Sequence, residues 1–339
     1  MQHTVLSYDK RFFDRALHAY SVFWDDAGIR RIASISGGKD STCVLLFLRE
    51  LRDKYGTDFS SVFADTGNEH ESTLEYVSYL SGRLGTPVTW LKADFSANII
   101  KRRRYVAENY PEPTRSRVLA GLTPTGIPFL DLCIWKGRFP SVCAKFCTVE
   151  LKVIPIKEHQ EQYLAVGECI ESWQGIRAEE SYNRKYLPKR NIEDEGVWTV
   201  RPILRWKLPQ VVAFHRRHGI PLNPLYKRGF SRVGCFPCIN ERKAGIRRMA
   251  DMFPEAIDKI RTWEETVSTV SSRQGSTFFH RDGMTEAEKS SVDAIRRISG
   301  IDGVVSWSRT RNGKRGSKQF DLMAYVPQPE CHCAIGICE

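Results

Sequence analysis

The sequence predicts an α/β fold in which a parallel sheet is flanked by helices and is followed by a smaller C-terminal α+β appendage. The first observation is a β-leaning segment, Arg31–Ser36, which runs into two glycines and then into a helical pattern over Thr42–Tyr55. The second observation is that this unit repeats, with strands at Ser61–Ala64 and Pro87–Leu91 and a helix near Glu71–Leu84. Strands that alternate with helices are typical of a parallel sheet.

Elements outside this repeat are predicted from the same periodicities. Apolar positions at helical spacing indicate an N-terminal helix over residues 9–25. Residues 110–142 are rich in proline, glycine and arginine without a clear period, which indicates an ordered loop or lid. The remaining predicted elements are a helix at Thr148–Tyr163, strands at Ile170–Gly175 and Trp198–Leu204, helices at Pro209–His218, Glu241–Met252, Pro254–Ser272 and Thr285–Ile298, and short strands at Gly303–Arg309 and Gln319–Val326.

Length and composition set the expected domain organisation. A chain of 339 residues with 41% hydrophobic content can bury one large core or two modest ones. We expect a helical lead-in over residues 1–30, a catalytic domain over residues 31–240 and an extension over residues 241–339. No stretch approaches the ~18–20 apolar residues of a membrane span, and the N-terminus lacks a signal-peptide pattern, so we expect a cytoplasmic protein without membrane contact.

The formal net charge of +11 is concentrated in four basic clusters, namely Lys101–Arg104, Arg184–Arg190, Arg242–Arg248 and Arg309–Lys318. Basic clusters attract polyanions, although a solvated surface explains any single cluster equally well. Taken together, the four clusters make nucleic acid, either DNA or tRNA, the expected macromolecular partner.

The segment Ser36-Gly37-Gly38-Lys39-Asp40-Ser41 is suited to binding phosphate. It joins a predicted strand to a predicted helix, where backbone N–H groups and the positive end of the helix dipole converge on an anion. Its glycines allow close approach, its serines and Thr42 add hydroxyl donors, Lys39 adds charge, and Asp40 is a candidate Mg²⁺ ligand. The spacing of the other common phosphate loop, G-x-x-x-x-G-K-[ST], is absent.

This segment resembles the PP-loop of N-type ATP pyrophosphatases, which cleave ATP between the α- and β-phosphates. Two further blocks resemble the phosphoadenylylsulfate (PAPS) reductase branch of that superfamily. They are Phe63-Ala64-Asp65-Thr66-Gly67 and the block Phe214 through Cys238, which contains Ile220–Tyr226 and Gly234-Cys235-x-x-Cys238. The resemblance covers residues 30–240 and implies a Rossmann-like fold of the adenine nucleotide α-hydrolase type.

The resemblance also implies roles for individual residues. The loop would bind ATP with Mg²⁺, and Asp65, Thr66 and Gly67 would lie near the adenosine. Arg177, in a block that resembles a phosphate-binding element, would contact an anion. An ion pair between Arg177 and Glu179 or Glu180 is the alternative.

Ten cysteines in a chain of this length, without an export signal, indicate metal binding or redox chemistry. In adenylylsulfate reductases, an early cysteine pair before a Lys-Val-x-Pro segment joins a later Cys-x-x-Cys to hold a [4Fe–4S] cluster. Here Thr148 follows Cys147 in place of the second early cysteine, so either Cys143 supplies the fourth thiolate or one iron site is open. The candidate ligands are Cys143, Cys147, Cys235 and Cys238. A zinc site and unligated cysteines are the alternatives.

Cys331, Cys333 and Cys338 form a separate C-terminal group. The dipeptide Glu330-Cys331 resembles the glutamate and nucleophilic cysteine near the C-terminus of PAPS reductases. Cys331 is therefore a candidate catalytic residue that shuttles sulfur or electrons, and the alternatives are a second metal site or plain exposure.

The intact loop decides between two chemistries of this family. Sulfonucleotide reductases depart from Ser-Gly-Gly-x-Asp-Ser, whereas enzymes that activate a substrate with ATP keep it. We therefore expect ATP cleavage coupled to sulfur transfer onto nucleic acid, as in tRNA thiolases and the PP-loop protein of DNA phosphorothioation systems. A cysteine desulfurase or a thioredoxin-like reductant would supply sulfur or electrons. The expected catalytic residues are Lys39, Asp40, Arg177 and Cys331. A sulfonucleotide reductase, and a nucleic-acid-binding module without turnover, are the alternatives.

Overall fold

A six-stranded sheet lies at the centre of the computed structural model, which describes residues 10–21, 28–56, 58–194, 196–279 and 284–310. The strands are β1 (Ile29–Ile35), β2 (Ser60–Asp65), β3 (Val88–Lys92), β4 (Cys169–Gln174), β5 (Arg190–Asp194) and β6 (Val197–Val200). Their order is β3-β2-β1-β4-β6-β5, and only β5 runs antiparallel to its neighbour. The predicted α/β fold with a parallel sheet is confirmed.

Helices connect and flank these strands throughout the part of the chain that the structure describes. In chain order they are α1 (Lys10–Ser21), α2 (Lys39–Tyr55), α3 (Glu71–Leu84), α4 (Ser96–Asn109), α5 (Thr114–Gly121), α6 (Pro128–Lys136), α7 (Phe146–Thr148), α8 (Ile154–Leu164), α9 (Leu208–Arg217), α10 (Pro224–Lys227), α11 (Lys243–Met252), α12 (Pro254–Val270), α13 (Glu286–Ser290), α14 (Val292–Ser299) and α15 (Ile301–Ser308). A π-helical turn at Val149–Val153 joins α7 to α8, and 3₁₀ turns lie at Ala178–Glu180 and Asn183–Tyr186. None of these helices is both long and apolar enough to cross a membrane.

Helices cover both faces of the sheet. On one face α2 packs with α1 and α9 around an aromatic core that includes Phe47, Trp173 and Phe214. On the other face α8 packs on a smaller cluster that includes Ile32 and Ile170. A parallel sheet that is covered on both sides has strands with apolar side chains on both faces. Burial of these side chains fixes the position of the strands, and therefore the position of the loops that follow their ends.

A second apolar core lies beside the sheet and is built from helices distant in sequence. It joins α4, α5 and α6 to α11, α12 and α15, with Phe129 stacked on Trp263 at 5.5 Å between ring centroids. Two arginines strengthen this junction by donating to carbonyls at the end of α12. Arg102 donates to Val270 O at 3.0 Å, and Arg117 donates to Thr269 O at 2.6 Å.

Two local predictions are wrong. Residues 110–142 are not one irregular loop, because α5 and α6 lie within them. Pro128 opens α6, and the carboxylate of Asp131 in the first turn accepts hydrogen bonds from the backbone N–H groups of Thr125 and Gly126. Residues 303–308 lie in the helix α15 rather than in a strand, because Ile301, Val304 and Ser308 are buried at helical spacing.

Other predictions differ in detail or lie outside the described residues. The predicted helix at Thr285–Ile298 is two helices, because the Ser291 hydroxyl accepts from Ala294 N at 3.3 Å and starts a new one. The antiparallel strand β5 was not predicted. The predicted strand at Gln319–Val326 lies outside the described residues.

Candidate active site

The loop between β1 and α2 has the conformation that its glycines permit. Gly37 has φ +67, and a Cβ there would lie 2.7 Å from Thr73 Cγ2. Gly38 is the extended residue before α2 and provides no side-chain cap, so the positive end of a 17-residue helix begins at Lys39 without a capping side chain. The Ser41 hydroxyl accepts from Ser36 N at 3.1 Å and donates to Gly38 O at 3.0 Å, which closes the loop on itself.

Three buried polar side chains brace this loop from behind. The Tyr226 hydroxyl accepts from Lys39 N at 3.1 Å, and Asn223 Nδ2 donates to Gly37 O at 3.1 Å. His215 Nε2 lies 2.8 Å from Lys39 O, and burial lowers the pKa of His215, so we assign the neutral tautomer that donates from Nε2. His215, Asn223 and Tyr226 all fall in the block Phe214 through Cys238 that the sequence singled out by resemblance, but no role was predicted for any of them.

Lys39, Asp40 and Arg177 form a buried ionic group at the start of α2. Asp40 Oδ1 accepts from Arg177 Nε at 2.5 Å, and Lys39 Nζ lies 2.9 Å from Asp40 Oδ2. The three residues are only 4–8% exposed. Arg177 also donates to Glu179, so the anion-binding role and the ion pair considered as its alternative involve the same guanidinium.

The ionic group stays charged despite its burial. Burial alone would raise the pKa of the Asp40 carboxyl, but Lys39 and Arg177 hold it below its ordinary value. Burial alone would lower the pKa of Lys39, but Tyr226 and Asp40 raise it above its ordinary value. With Glu179 on Arg177, two cations face two carboxylates, and the helix N-terminus adds partial positive charge beside them. Both Asp40 oxygens are bonded to cations, so Asp40 is set to position Lys39 and Arg177, and Mg²⁺ ligation by Asp40 stays a prediction.

A cavity of about 440 Å³ opens beside the loop, within the range of ~300–1,000 Å³ usual for small-molecule sites. Its lining includes Ser36, Ser41, Lys152, Gln160 and Gln174. The end of β4 reaches the loop because Gly175 has no side chain. A Cβ there would lie 2.6 Å from Ser41 N, so only glycine allows this approach.

The turn after β2 is built from the residues predicted to lie near adenosine. Asp65 accepts from Gly67 N at 2.9 Å, and the Thr66 hydroxyl donates to Glu69 Oε1 at 2.7 Å. Gly67 has φ +70, and a Cβ there would lie 2.8 Å from Pro128 Cδ. Contact of Asp65, Thr66 and Gly67 with a nucleotide stays a prediction.

Three of the predicted cysteine ligands lie near one another. Burial raises the pKa of the Cys147 thiol, and Cys235 and Cys238 raise it further. The pKa of Cys235 is likewise raised by burial, although Lys152 opposes that rise. Cys143 is exposed.

The cysteines do not form the predicted four-ligand set in this structure. Among the residues that the structure describes, no group of three or more His, Cys, Asp or Glu side chains is arranged to hold a metal ion. A [4Fe–4S] cluster and a zinc site at these cysteines both stay predictions. Cys331 lies outside the described residues.

Comparison with known proteins places these observations in a family. The family model for the phosphoadenosine phosphosulfate reductase domain matches residues 30–117 and 134–241. An uncharacterized 37.8 kDa protein of Escherichia phage 186 is 38% identical, covering 91% of this chain and 96% of that protein. An uncharacterized protein of Methanocaldococcus jannaschii is 30% identical. The match covers 70% of this chain and 41% of that protein.

More distant similarities involve proteins with named activities. An adenosine 5'-phosphosulfate reductase of Allochromatium vinosum is 40% identical over 65 residues, covering 19% of this chain and 25% of that protein. The crystal structure of a PAPS reductase from Candida auris aligns with a TM-score of 0.40 at 14% identity, covering 69% of this chain and 98% of that one. The family model covers more than half of the chain, in agreement with the loop and the sheet, and the chain therefore belongs to the phosphoadenosine phosphosulfate reductase family.

Proposed function

We propose that this protein binds ATP as its Mg²⁺ complex and cleaves it between the α- and β-phosphates to activate an acceptor for sulfur transfer. The acceptor in this proposal is nucleic acid. The observation that carries the proposal is the intact Ser36–Ser41 loop at the start of α2, together with the buried cations of Lys39 and Arg177.

The loop supplies what a polyphosphate needs. Backbone N–H groups at the start of α2 and the helix dipole favour an anion there. Lys39 has three donors and Arg177 has five, so both side chains keep their bonds to Asp40 and still have N–H groups for phosphate oxygens. Because Asp40 fixes both cations before ATP arrives, little reorganisation is needed when charge develops.

The chemistry has two steps. An oxygen of the acceptor attacks the α-phosphorus, the bond to the β-phosphate oxygen breaks, and pyrophosphate leaves with that electron pair. Lys39 and Arg177 stabilise the negative charge on the phosphates as it grows. A thioredoxin-like dithiol reduces the persulfide of a cysteine desulfurase to hydrosulfide and is itself oxidised to a disulfide. The hydrosulfide then attacks the activated atom, and AMP leaves with the acceptor oxygen. No step passes through a metal cluster or Cys331.

The direct test is release of pyrophosphate from ATP by purified protein, with nucleic acid present as the acceptor and any sulfonucleotide absent. Lys39→Ala and Arg177→Ala should each lower the rate by about 10²–10³-fold, as loss of one preorganised donor does elsewhere. Lys54→Ala is the matched control, because Lys54 lies on the same helix but its side chain is 40% exposed. Absence of pyrophosphate release, together with sulfite release from PAPS, would overturn the proposal.

A second candidate is a sulfonucleotide reductase, favoured by the position of Lys152. Lys152 lines the cavity beside the loop, and the Cys235 thiol raises the pKa of Lys152, so this side chain lies between the nucleotide cavity and the cysteines. Sulfite release from adenylylsulfate or PAPS with a thioredoxin-like reductant would favour this function. An anaerobic absorbance spectrum with iron and sulfide analysis, repeated on Cys147→Ala, tests whether the thiols hold a cluster.

A further inference from the structure

Two tyrosines form an exposed aromatic pair on the surface near the loop. Tyr186 ends the 3₁₀ turn Asn183–Tyr186, and Tyr182 is the residue before that turn. Tyr182 is 67% exposed and Tyr186 is 70% exposed. Their rings meet edge to face with centroids 5.3 Å apart, and their hydroxyl groups are hydrogen-bonded at 2.6 Å. This bond holds both rings in one arrangement while leaving them open to solvent.

Cationic side chains surround the pair. Lys185 Nζ lies 5.5 Å from the centre of the Tyr182 ring, and Arg205 donates to Lys185 O at 3.0 Å. Burial lowers the pKa of Arg184, and electrostatic repulsion from Arg232 lowers it further.

The acidic residues nearest in sequence do not cancel this positive charge. Glu179 is bonded to Arg177, and Glu180 is bonded to Arg184. Lys185 and Arg205 remain as exposed cations beside the rings, and Arg232 is an exposed cation that acts electrostatically on Arg184. The surface therefore combines open aromatic rings with excess positive charge.

This surface adjoins the ATP site. Arg184 is within electrostatic range of Asp40 and Arg177, the two side chains paired at the start of α2. The chain runs from Arg177 through the 3₁₀ turn Ala178–Glu180 directly into the tyrosine pair. A polymer bound along the tyrosines can therefore extend toward the phosphate loop.

We propose that Tyr182 and Tyr186 form a stacking platform for the bases of single-stranded nucleic acid, whose phosphates contact Lys185, Arg205 and Arg232. Aromatic rings beside a basic track are the usual means of holding single strands without sequence preference. A duplex hides its base faces and cannot stack in this way. The inference rests on the proposed function, because it takes nucleic acid as the acceptor. It goes further by specifying that the acceptor is single-stranded and by naming the surface that binds it.

The test is fluorescence anisotropy with labelled single-stranded RNA and DNA of about 12 nucleotides, a length within the usual site size. The full-length protein is used without ATP, and a duplex of the same sequence is run in parallel. Tyr182→Ala with Tyr186→Ala should weaken single-strand binding by at least about 10-fold, since each stacked base accounts for about a 5- to 150-fold effect. Duplex binding should change little.

Two further variants separate stacking from other roles of the tyrosines. Tyr182→Phe with Tyr186→Phe keeps the rings and removes the hydroxyl pair, so it should retain most of the affinity. Tyr105→Ala is the matched control, because Tyr105 is 59% exposed beside basic residues on α4 and should not affect binding. Arg205→Ala and Arg232→Ala should each lower the slope of log affinity against log salt by about one.

The proposal is overturned if the double alanine variant binds single strands as tightly as the wild type. It is also overturned if the double phenylalanine variant or Tyr105→Ala loses as much affinity as the double alanine variant. Pyrophosphate release from ATP is also measured on the wild type, with the single strands present at a saturating concentration. Tyrosine-dependent binding without any pyrophosphate release would sink the ATP-cleavage proposal and leave this platform standing.

Discussion

Replacing Asp40 with asparagine tests the ionic group at the start of α2 most directly. Asp40→Asn keeps the side-chain shape but removes the negative charge between Lys39 and Arg177. Both cations are more than nine-tenths buried, so water cannot take over the role of the carboxylate. The variant is left with two buried positive charges that have lost their shared partner.

The expected loss of stability follows from that geometry. Removing one partner of a buried ion pair costs about 3–5 kcal/mol. Because the asparagine oxygen still accepts one hydrogen bond and Glu179 still pairs with Arg177, we expect the lower end, about 3 kcal/mol. At about 2.1 cal/mol/K per residue, unfolding a chain of 339 residues has an entropy of about 0.7 kcal/mol/K, so Asp40→Asn should melt about 4 °C lower.

Polyphosphate should partly reverse this loss, because it supplies the missing negative charge. The melting temperature of Asp40→Asn should therefore rise more on addition of a non-hydrolysable ATP analogue than that of the wild type. Differential scanning fluorimetry measures both quantities. Asp302→Asn is the control, since Asp302 pairs with Arg261 at an exposed site where an ion pair contributes about 0–1 kcal/mol. If Asp40→Asn melts with the wild type, the buried ionic group is not a stabilising unit and the reasoning fails.

Three other predictions follow from single contacts. Tyr226→Phe leaves the buried N–H of Lys39 without its acceptor. Urea unfolding should show a free energy of unfolding lower by about 1–3 kcal/mol, and ATP should bind more weakly. If neither quantity changes, Tyr226 does not brace the loop. Burial raises the pKa of Glu264 from 4.5 to about 7, so its contribution to stability is fully present below the unfolded pKa and is lost as pH rises through about 7. The urea midpoint of the wild type should therefore be higher below that pKa than above it. If Glu264→Gln shows a difference of the same size, Glu264 is not the group that titrates. Gly175→Ala should displace the loop and weaken ATP binding, and calorimetry that gives the same ATP affinity for this variant and the wild type would rule out the close approach. Gly82→Ala is the control: a Cβ there meets open space in a helix, so this variant should raise the free energy of unfolding by about 0.4–1 kcal/mol.

The sequence was sufficient for features that are local in the chain. The loop Ser36–Ser41 was predictable because strand, glycine turn and helix follow one another within a few residues. The alternation of strands and helices through β3 was predictable for the same reason. In both cases, local propensity and the final fold favour the same conformation.

Features settled by distant contacts were not predictable. His215 and Tyr226 brace Lys39 from 176 and 187 residues away, and no local pattern indicates such a bond. The helix α15 was predicted as a strand because Val304 and Val305 are β-branched, and packing against α11 and α12 overrides that preference. The helices α5 and α6 are only eight and nine residues long, which is too short for an apolar period to stand out in the sequence.

The junction at the end of α12 has a consequence for how the protein opens. Arg102 on α4 and Arg117 on α5 bond carbonyls of residues more than 150 positions later in the chain. Neither α5 nor α12 can separate without breaking these bonds and exposing the apolar core between them. Amide hydrogens of α5 and α12 should therefore exchange with solvent through one shared opening reaction, with the same free energy and the same dependence on denaturant.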